Sequence, residues 1–199
     1  MRLILLRHGE STWNAQGRMQ GTADPPLSAA GRAQARALAP LLDGLRPDAV
    51  VTSDLLRARQ TAEELGLAAA RLDPGWREAA IGRWAGRLVG EVVAEEPEAH
   101  DGWLEGSAAP PGGEAFADTC ARIAAAVGAL AASGAERALV VTHGGPIRAA
   151  CAAVAGLPRS GLVAVPTASL TEIAVDGAGG GWVVAFGVTP RGAVRPAPP

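Results

Sequence analysis

The stretch LILLRHGESTWN, residues 3–14, passes from four aliphatic side chains directly into an arginine, a histidine and a glycine. A short, continuous apolar run of this kind is typical of a strand that is covered on both faces of a sheet. Arg7 and His8 follow at once, and both are costly to bury unless a partner compensates them. Gly9 permits a tight turn, and Ser11 can cap a helix that follows. We therefore predict a buried strand that delivers two nitrogen-bearing side chains to the edge of a sheet.

Strand and helix patterns alternate along the rest of the chain. Strands are predicted at residues 48–53, 137–142, 168–175 and 181–188, and helices are predicted from Ser28, from Asp54, over 116–130 and from Pro146. Pro40 should shorten the first of these helices. The last two strands are joined by the glycine-rich DGAGGG and form a hairpin. This order predicts an α/β fold, a three-layer sandwich whose central sheet is mostly parallel and carries helices on both faces.

The length and composition favour one domain with a large core. The chain has 199 residues, of which 48% are hydrophobic, so residues 1–199 are expected to fold as a single domain. The segment rich in Gly, Pro and Trp is the least regular part, and we expect residues 76–116 to form a lid over the carboxyl edge of the sheet, with one short helix. The tail RGAVRPAPP, residues 191–199, is expected to fray.

Composition also limits the partners and the compartment. The net charge of −2 argues against a protein that binds nucleic acid through bulk positive charge. Cys120 and Cys151 lie on apolar helical stripes, which is typical of free thiols in a reducing compartment. The sequence contains no basic leader followed by a long apolar segment, and no apolar run long enough to cross a bilayer. We therefore expect a soluble cytoplasmic protein with no membrane partner.

Several predicted strand ends carry side chains that suit an anion. His8 and His143 each follow a strand, Arg7 precedes His8, and Arg57 lies in the first turn after the second strand. In open α/β sheets, ligands bind beyond the carboxyl ends of the strands, so these four side chains should meet. Gly144 and Gly145 stand just before the predicted start of a helix and leave backbone N–H groups open to an anion. The set predicts a pocket for a dianion, most naturally a phosphoryl group.

Three other interpretations of these features are weaker. A metal site needs several clustered ligands, whereas two arginines beside two histidines would repel a cation. His143 alone would be interpreted as a satisfied core histidine, but a second histidine at a matching strand end argues against that interpretation. The glycine run at 177–181 joins two strands rather than a strand and a helix, so it lacks the context of a nucleotide-binding loop.

Four segments of the sequence resemble the motifs of the histidine phosphatase superfamily, the phosphoglycerate-mutase-like group, in that family's order. They are LLRHGESTWN, SDLLRARQTA, REAAIGRWAG and VVTHGGPIR. The resemblance implies that His8 is a nucleophile that forms a phosphohistidine and that Glu78 protonates the leaving oxygen. It assigns the phosphoryl oxygens to Arg7, Arg57 and His143, and further substrate contacts to Asn14, Gln20, Gly21 and Gly144.

The chemistry of a histidine nucleophile adds a requirement of its own. An imidazole nitrogen attacks phosphorus only through its lone pair, so the other ring nitrogen of His8 must act as a donor. We predict that a backbone carbonyl in the loop after His8 accepts that hydrogen bond. Ala85 and Ala115 depart from the family pattern, which usually has an acid and a serine there, and both positions bear on the lid. The long basic insertion of the family's mutases is missing, which favours hydrolysis by water.

Together these features predict a phosphomonoesterase that acts on a small phosphorylated metabolite and needs no metal ion and no other cofactor. The alternatives are a phosphoglycerate-type mutase and a non-catalytic anion-binding module on the same fold. The substrate stays open between sugar phosphates, phosphoglycerate derivatives and nucleoside-type phosphates. The exposed edge of the C-terminal hairpin permits a homodimer.

Overall fold

The computed structural model describes residues 1–190, in which one sheet is flanked by helices. The strands are β1 (Arg2–Arg7), β2 (Ala49–Thr52), β3 (Arg71–Leu72), β4 (Arg137–Thr142), β5 (Leu170–Val175) and β6 (Gly181–Val188). The helices are α1 (Thr12–Ala15), α2 (Ala29–Ala37), α3 (Ala39–Leu42), α4 (Leu56–Glu64), α5 (Val89–Glu95), α6 (Pro97–Glu105), α7 (Phe116–Ala132) and α8 (Gly144–Ala155). Short 3-10 helices cover Pro74–Trp76, Gly82–Trp84 and Arg159–Gly161. The tail predicted to fray, residues 191–199, lies outside the described residues.

The sheet has the order β3-β2-β4-β1-β5-β6. β1, β2, β3 and β4 run parallel to one another, whereas β5 pairs antiparallel with β1 and β6 pairs antiparallel with β5. Because β1 lies inside the sheet, Leu3 and Leu5 face one side while Ile4 and Leu6 face the other, and all four are completely buried. Each such side chain contributes about 1.5–3 kcal/mol relative to an exposed one. The predicted α/β class with a mostly parallel sheet is confirmed.

Helices cover both faces of this sheet, as predicted. On one face, Ile123 of α7 and Ile147 of α8 pack into the core with Cys151, which is fully buried. On the other face, Ala58 and Ala62 of α4 pack against the sheet. Within residues 1–190, none of the helices combines the length and the apolar character that crossing a bilayer requires.

Helix boundaries agree with the sequence at one predicted start and differ at another. The Ser28 side chain accepts a hydrogen bond from Gly31 N and caps α2, and the chain leaves that helix before Pro40, as predicted. The prediction that Asp54 caps α4 is wrong, because its carboxylate instead accepts a hydrogen bond of 2.7 Å from Arg77 Nε. The Asp54 carboxylate, which the local sequence predicted to cap α4, thus pairs with Arg77 from the segment that follows β3.

The segment at 76–116 is more ordered than the sequence indicated. It contains two α-helices, α5 and α6, rather than one, and Ile81, Trp84 and Val92 form a small core there, against which Trp103 packs. The short strand β3 at the sheet edge was not predicted. Ala115 stands at the N-cap of α7 without a side-chain hydrogen bond to the helix, which is the local consequence of the missing serine.

Candidate active site

The carboxyl ends of β1 and β4 bring the two strand-end histidines together. β1 and β4 are parallel neighbours, and His8 N–H donates to the Thr142 carbonyl at 3.0 Å, which continues the ladder past the last paired residue. The ring centroids of His8 and His143 are therefore only 5.1 Å apart, and both side chains are buried. The edge of the sheet thus brings together the residues that the sequence placed at strand ends.

The contacts of the His8 ring define which nitrogen is free to react. Nδ1 lies 2.6 Å from the carbonyl oxygen of Gly9, the kind of acceptor that the sequence predicted. A ring nitrogen that faces a carbonyl carries the proton, so Nε2 keeps its lone pair. Arg57 Nε lies 3.3 Å from Nε2 and donates to it. Burial, and next the charges of Arg57 and Arg7, hold the pKa of His8 well below its usual value, so the ring is neutral at pH 7.

Main-chain carbonyls hold the Arg57 guanidinium. Nη1 donates to Ala23 O at 2.7 Å and Nη2 donates to Gly21 O at 2.8 Å, so the third face, Nε, points at His8. Gly21 has a φ of +53°, a conformation that favours glycine. Burial lowers the pKa of Arg57 to about 10, so the group stays charged at neutral pH. In this structure the predicted substrate residue Gly21 positions Arg57 through its carbonyl.

Arg7 offers a donor that its neighbours leave open. Its Nη1 donates to the carbonyl of Val165, whereas its Nε is buried and has no hydrogen-bond partner within residues 1–190. Gly144 lies against this guanidinium, since a Cβ there would be in ordinary contact with Arg7 Nε at 3.6 Å. Burial lowers the pKa of Arg7, and the charge of Glu78 opposes that shift. An incoming anion can therefore take the open N–H.

His143 is held by a residue that the sequence patterns did not single out, Ser53. Its Nε2 lies 2.9 Å from Ser53 Oγ, while its Nδ1 is buried and unpartnered in the described part of the chain. Burial, and next the charge of Arg57, lower the pKa of His143 well below its usual value. Ser53 follows β2 and lies at the same edge of the sheet. Its position at the end of the predicted strand DAVVTS is the sequence feature that could have identified it as a site residue.

Ser11 organises the two predicted rim amides. Ser11 is the N-cap of α1, as the sequence predicted. It also makes a capping box with Asn14. Its hydroxyl lies 2.8 Å from Gln20 Oε1 and 3.1 Å from Asn14 Oδ1. Because both amide oxygens face Ser11, the NH₂ groups of Asn14 and Gln20 are the parts left to donate to a ligand.

Glu78 reaches the same site from the irregular segment. Its Oε2 accepts a hydrogen bond of 3.2 Å from Gly145 N, in the first turn of α8, and its Oε1 accepts one of 2.9 Å from Ala79 N. The positive end of a helix suits a carboxylate. A Cβ at Gly145 would overlap Glu78 Oε1, so only glycine leaves room for this contact. The strand-end residues and Glu78 thus occupy adjoining positions around the start of α8.

The electrostatic character of the site matches an anion. Across residues 1–190, no group of three or more His, Cys, Asp or Glu side chains is arranged to hold a metal ion. Two guanidinium groups and the imidazole of His143 offer donors, the imidazole of His8 offers a lone pair, and one carboxylate lies beside them. This arrangement can bind a phosphoryl group, attack it with a nitrogen lone pair and exchange a proton through the carboxylate.

Comparison with known proteins identifies the family of this chain. Residues 3–187 match the sequence profile described as "Histidine phosphatase superfamily (branch 1)". The chain belongs to the histidine phosphatase superfamily. A solved structure similar to this histidine phosphatase is a mycobacterial glucosyl-3-phosphoglycerate phosphatase complexed with VO3, which is 36% identical with a TM-score of 0.86 and covers 94% of this chain and 99% of that one.

Curated relatives of this histidine phosphatase carry the names of small-metabolite phosphatases and of a probable phosphoglycerate mutase. It is 40% identical over 170 residues to a glucosyl-3-phosphoglycerate phosphatase of Mycobacterium tuberculosis, covering 79% of this chain and 76% of the relative. It is 37% identical over 156 residues to a metal-independent phosphoserine phosphatase of Arabidopsis thaliana, covering 74% and 66%. A probable phosphoglycerate mutase of Enterobacter sp. is 34% identical over 168 residues, covering 79% and 76%. The predicted class, a phosphatase of small phosphorylated metabolites, is confirmed.

Proposed function

We propose that this histidine phosphatase hydrolyses a small phosphorylated metabolite through a phosphohistidine at His8. The observation that supports the proposal most directly is the fixed tautomer of His8. Its Nδ1 donates to Gly9 O at 2.6 Å, and its unprotonated Nε2 accepts a hydrogen bond from Arg57 Nε at 3.3 Å. A nucleophile that is neutral and oriented beside cationic donors is what phosphoryl transfer requires of a protein.

In the first step, the lone pair of His8 Nε2 forms a P–N bond while the P–O bond to the alcohol breaks. The Gly9 carbonyl stabilises the positive charge that the ring gains, because Nδ1–H donates to it. Glu78, in its acid form, gives its proton to the departing oxygen, so an alcohol leaves rather than an alkoxide. This role is supported by its contact with Gly145 N, two residues after His143, and by the effect of its charge on Arg7 and Arg57.

The phosphoryl oxygens need donors throughout this step. The open Nε of Arg7, the Nε of Arg57 and the unpartnered Nδ1 of His143 supply them, with the NH₂ groups of Asn14 and Gln20 at the rim. Arg57 Nε exchanges its present contact with His8 for a phosphoryl oxygen. Removing one such preorganised donor typically costs about 10²- to 10³-fold in rate.

In the second step, water attacks the phosphohistidine. Glu78, now a carboxylate, accepts the proton of the water, the P–N bond breaks, and inorganic phosphate leaves. His8 returns to its neutral form and Glu78 to its acid form, so the cycle balances without a metal ion or another cofactor. Activity should survive exhaustive chelation with EDTA, and a loss that a divalent ion restores would contradict this step.

The phosphohistidine is tested by acid-quenching or base-quenching the enzyme during turnover of a ³²P-labelled ester. We expect a phosphoryl group on the protein that is stable in base, labile in acid and absent from His8→Ala, which also loses turnover. The chain has three histidines, so His100→Gln, in the lid, is a matched control that should keep the label. Turnover by His8→Ala would show that water attacks phosphorus directly.

The mutase and the non-catalytic alternatives are separated by the product. A phosphatase releases inorganic phosphate steadily, whereas a mutase interconverts 3-phosphoglycerate and 2-phosphoglycerate without release. A binding module would bind the ester and change nothing. We expect steady phosphate release, because the chain lacks the basic insertion that the family's mutases use to hold a phosphorylated acid.

Domain organisation, lid, compartment and assembly complete the proposal. We propose one domain over residues 1–199 in which residues 76–116 act as the lid that selects the substrate. A cytoplasmic location is supported by the free thiols of Cys120 and Cys151, and no nucleic-acid partner is expected from the net charge of −2.

A homodimer through β6 is supported by its edge position and by Trp182 and Val184, which are 61% and 54% exposed. Light scattering of Trp182→Asp against the parent chain tests that contact.

A further inference from the structure

Two arginines outside the machinery described above, Arg148 and Arg159, lie next to one another near α8. Arg148 lies on α8 and Arg159 lies in the 3-10 helix Arg159–Gly161. Within residues 1–190, neither makes a salt bridge, whereas Arg77 pairs with Asp54 and Arg122 pairs with Glu114. Both are partly buried, and burial lowers the pKa of each. A pair of partly buried guanidinium groups without a carboxylate calls for an explanation.

Their own hydrogen bonds leave most of their donors open. Arg159 Nε donates to Leu104 O at 3.0 Å. Arg148 Nη2 reaches the carbonyls of Leu104 and Arg159 only at 3.5 Å each, and Arg148 Nε is buried without a partner in the described residues. The Nη groups of Arg159 make no hydrogen bond within residues 1–190. Main-chain carbonyls thus hold the pair in place without neutralising its charge.

The lid fixes the plane of Arg159. Its guanidinium carbon lies 4.5 Å from the centre of the Phe116 ring and 5.3 Å from that of Trp103. At Gly106, which has a φ of +84°, a Cβ would lie 2.8 Å from Arg159 Cδ, so glycine permits this approach. A guanidinium stacked on aromatic rings keeps its N–H edge free, and that edge matches the two oxygens of a carboxylate.

The pair is linked to Glu78 through α8, because Arg148 lies on this helix, Gly145 N of the same helix donates to Glu78, and Arg148 Nη2 reaches Arg159 O. A Cβ at Gly145 would meet Glu78, so this face of α8 is the one that contacts the carboxylate. Arg148 is three residues after Gly145 and therefore lies on the same face. The charge of Glu78 acts on Arg148 and Arg159 and also on Arg7 and Arg57, so this carboxylate is within electrostatic reach of all four arginines. Arg7 and Arg57 are the pair assigned to the phosphoryl group in the proposed function. Arg148 and Arg159 lie on the α8 side of Glu78, the residue assigned there to the leaving oxygen.

We propose that Arg148 and Arg159, here called the lid pair, bind a carboxylate on the alcohol portion of the substrate, so that the preferred substrates are phosphate esters of small hydroxy acids. This inference rests on the proposed function, because it uses Glu78 as the group beside the leaving oxygen. Two charge-assisted contacts of this kind are worth about 10- to 100-fold in specificity. The lid pair is a specificity device and not part of the phosphoryl transfer.

The test compares two esters that differ only in the group of interest, 3-phosphoglycerate and glycerol 3-phosphate. For the parent enzyme we expect kcat/KM to favour 3-phosphoglycerate by about 10- to 100-fold. Arg148→Gln and Arg159→Gln should each abolish most of that preference through KM, and should change glycerol 3-phosphate less than about threefold. Arg83→Gln, an exposed lid arginine, is the matched control and should keep the preference.

If either ester is bound but turned over slowly, its inhibition constant against p-nitrophenyl phosphate hydrolysis is measured instead. The ratio of the two inhibition constants then gives the preference for 3-phosphoglycerate over glycerol 3-phosphate. Equal losses on both esters would overturn the inference and make the lid pair a structural support of the lid. A parent enzyme without preference for the carboxylate would also overturn it. In either case, phosphate release from p-nitrophenyl phosphate shows that the proposed function still holds. Absence of release from every ester would instead refute the proposed function.

Discussion

The two ends of the site hold their arginines in different ways. At the phosphate end, formed by Arg7, His8, Arg57 and His143, Arg57 donates to the carbonyls of two loop residues beside the sheet. In the lid pair, Arg159 instead rests on aromatic rings of the lid and its border. The phosphate end depends on the backbone of the sheet and its loops, whereas the other end depends on side-chain packing. Changes at the phosphate end should therefore affect every ester, and changes beyond Glu78 should depend on the alcohol.

Glu78 stands at the boundary, and its loss should have the largest effect that depends on the substrate. An alkoxide needs a proton to leave, whereas p-nitrophenolate does not. Since general acid catalysis contributes about 10²- to 10⁴-fold, Glu78→Gln should lose about that much on an alkyl phosphate. Rapid-quench measurement of the p-nitrophenol burst should show a far smaller loss, because formation of the phosphohistidine then needs no acid.

The burst is the fair comparison, because in the proposed mechanism the later attack of water also uses Glu78. Equal burst losses on both substrates would mean that Glu78 shapes the pocket rather than donating a proton. Glu114 and Glu91 would then be the next candidates, although Glu114 pairs with Arg122 at 2.9 Å and Glu91 accepts from Leu88 N at 3.0 Å.

Removal of Arg57 should affect all esters alike. Arg57→Gln removes a donor to the phosphoryl oxygens, which should lower kcat/KM by about 10²- to 10³-fold for alkyl and aryl esters. Arg59→Gln is the matched control, since Arg59 lies on the same helix but is exposed. Steady-state kinetics on both ester types measures the effect. A loss confined to alkyl esters would place Arg57 with the leaving group and contradict the division of the site.

A methyl group at Gly145 should disturb the boundary without touching either end. Because a Cβ there overlaps Glu78 Oε1, Gly145→Ala should displace the carboxylate and lower kcat on an alkyl phosphate by about 10- to 100-fold, part of the contribution of a general acid. Gly128→Ala adds a methyl group in α7 where nothing lies within 4 Å, and should leave kcat unchanged. An unchanged kcat in Gly145→Ala would show that catalysis does not need the contact between Glu78 and the first turn of α8.

The smallest effect concerns the protonation of the phosphate end. His8 and His143 are expected to stay neutral as the pH falls to their ordinary pKa near 6.5, since burial and the neighbouring arginines disfavour the charged form. Arg57→Gln removes one of those positive charges, so it should raise both pKa values. NMR titration of the ring nuclei measures this, with Arg59→Gln as the control. Protonation of both rings near pH 6.5 in the parent enzyme would refute the neutral nucleophile.

The sequence alone predicted most of the phosphate end, for a physical reason. Strand ends in a parallel sheet meet at one edge, so the segments LILLRHG and RALVVTHGG by themselves imply that His8 and His143 are neighbours. A histidine nucleophile needs a fixed tautomer, which led to the carbonyl acceptor after His8. Backbone periodicity and local chemistry suffice for such predictions.

Residues whose partners are distant in sequence needed the tertiary structure. Asp54 was expected to cap α4, but Arg77 binds it because the two segments meet only in the folded chain. Ser53 was missed as the partner of His143 since a strand-end serine has many possible uses. The second helix of the lid was missed because its Gly, Pro and Trp content hides the helical period.

The composition and the motifs of this chain determined its fold class and its family and predicted that the residues of the phosphate end meet, because those depend on strand periodicity and on residues adjacent in sequence. Only the tertiary structure decided what surrounds Glu78 and the lid pair. It seats Glu78 on the first turn of α8 and sets Arg159 against Trp103 and Phe116. Those contacts join five separate segments, and no local pattern encodes the distance between them.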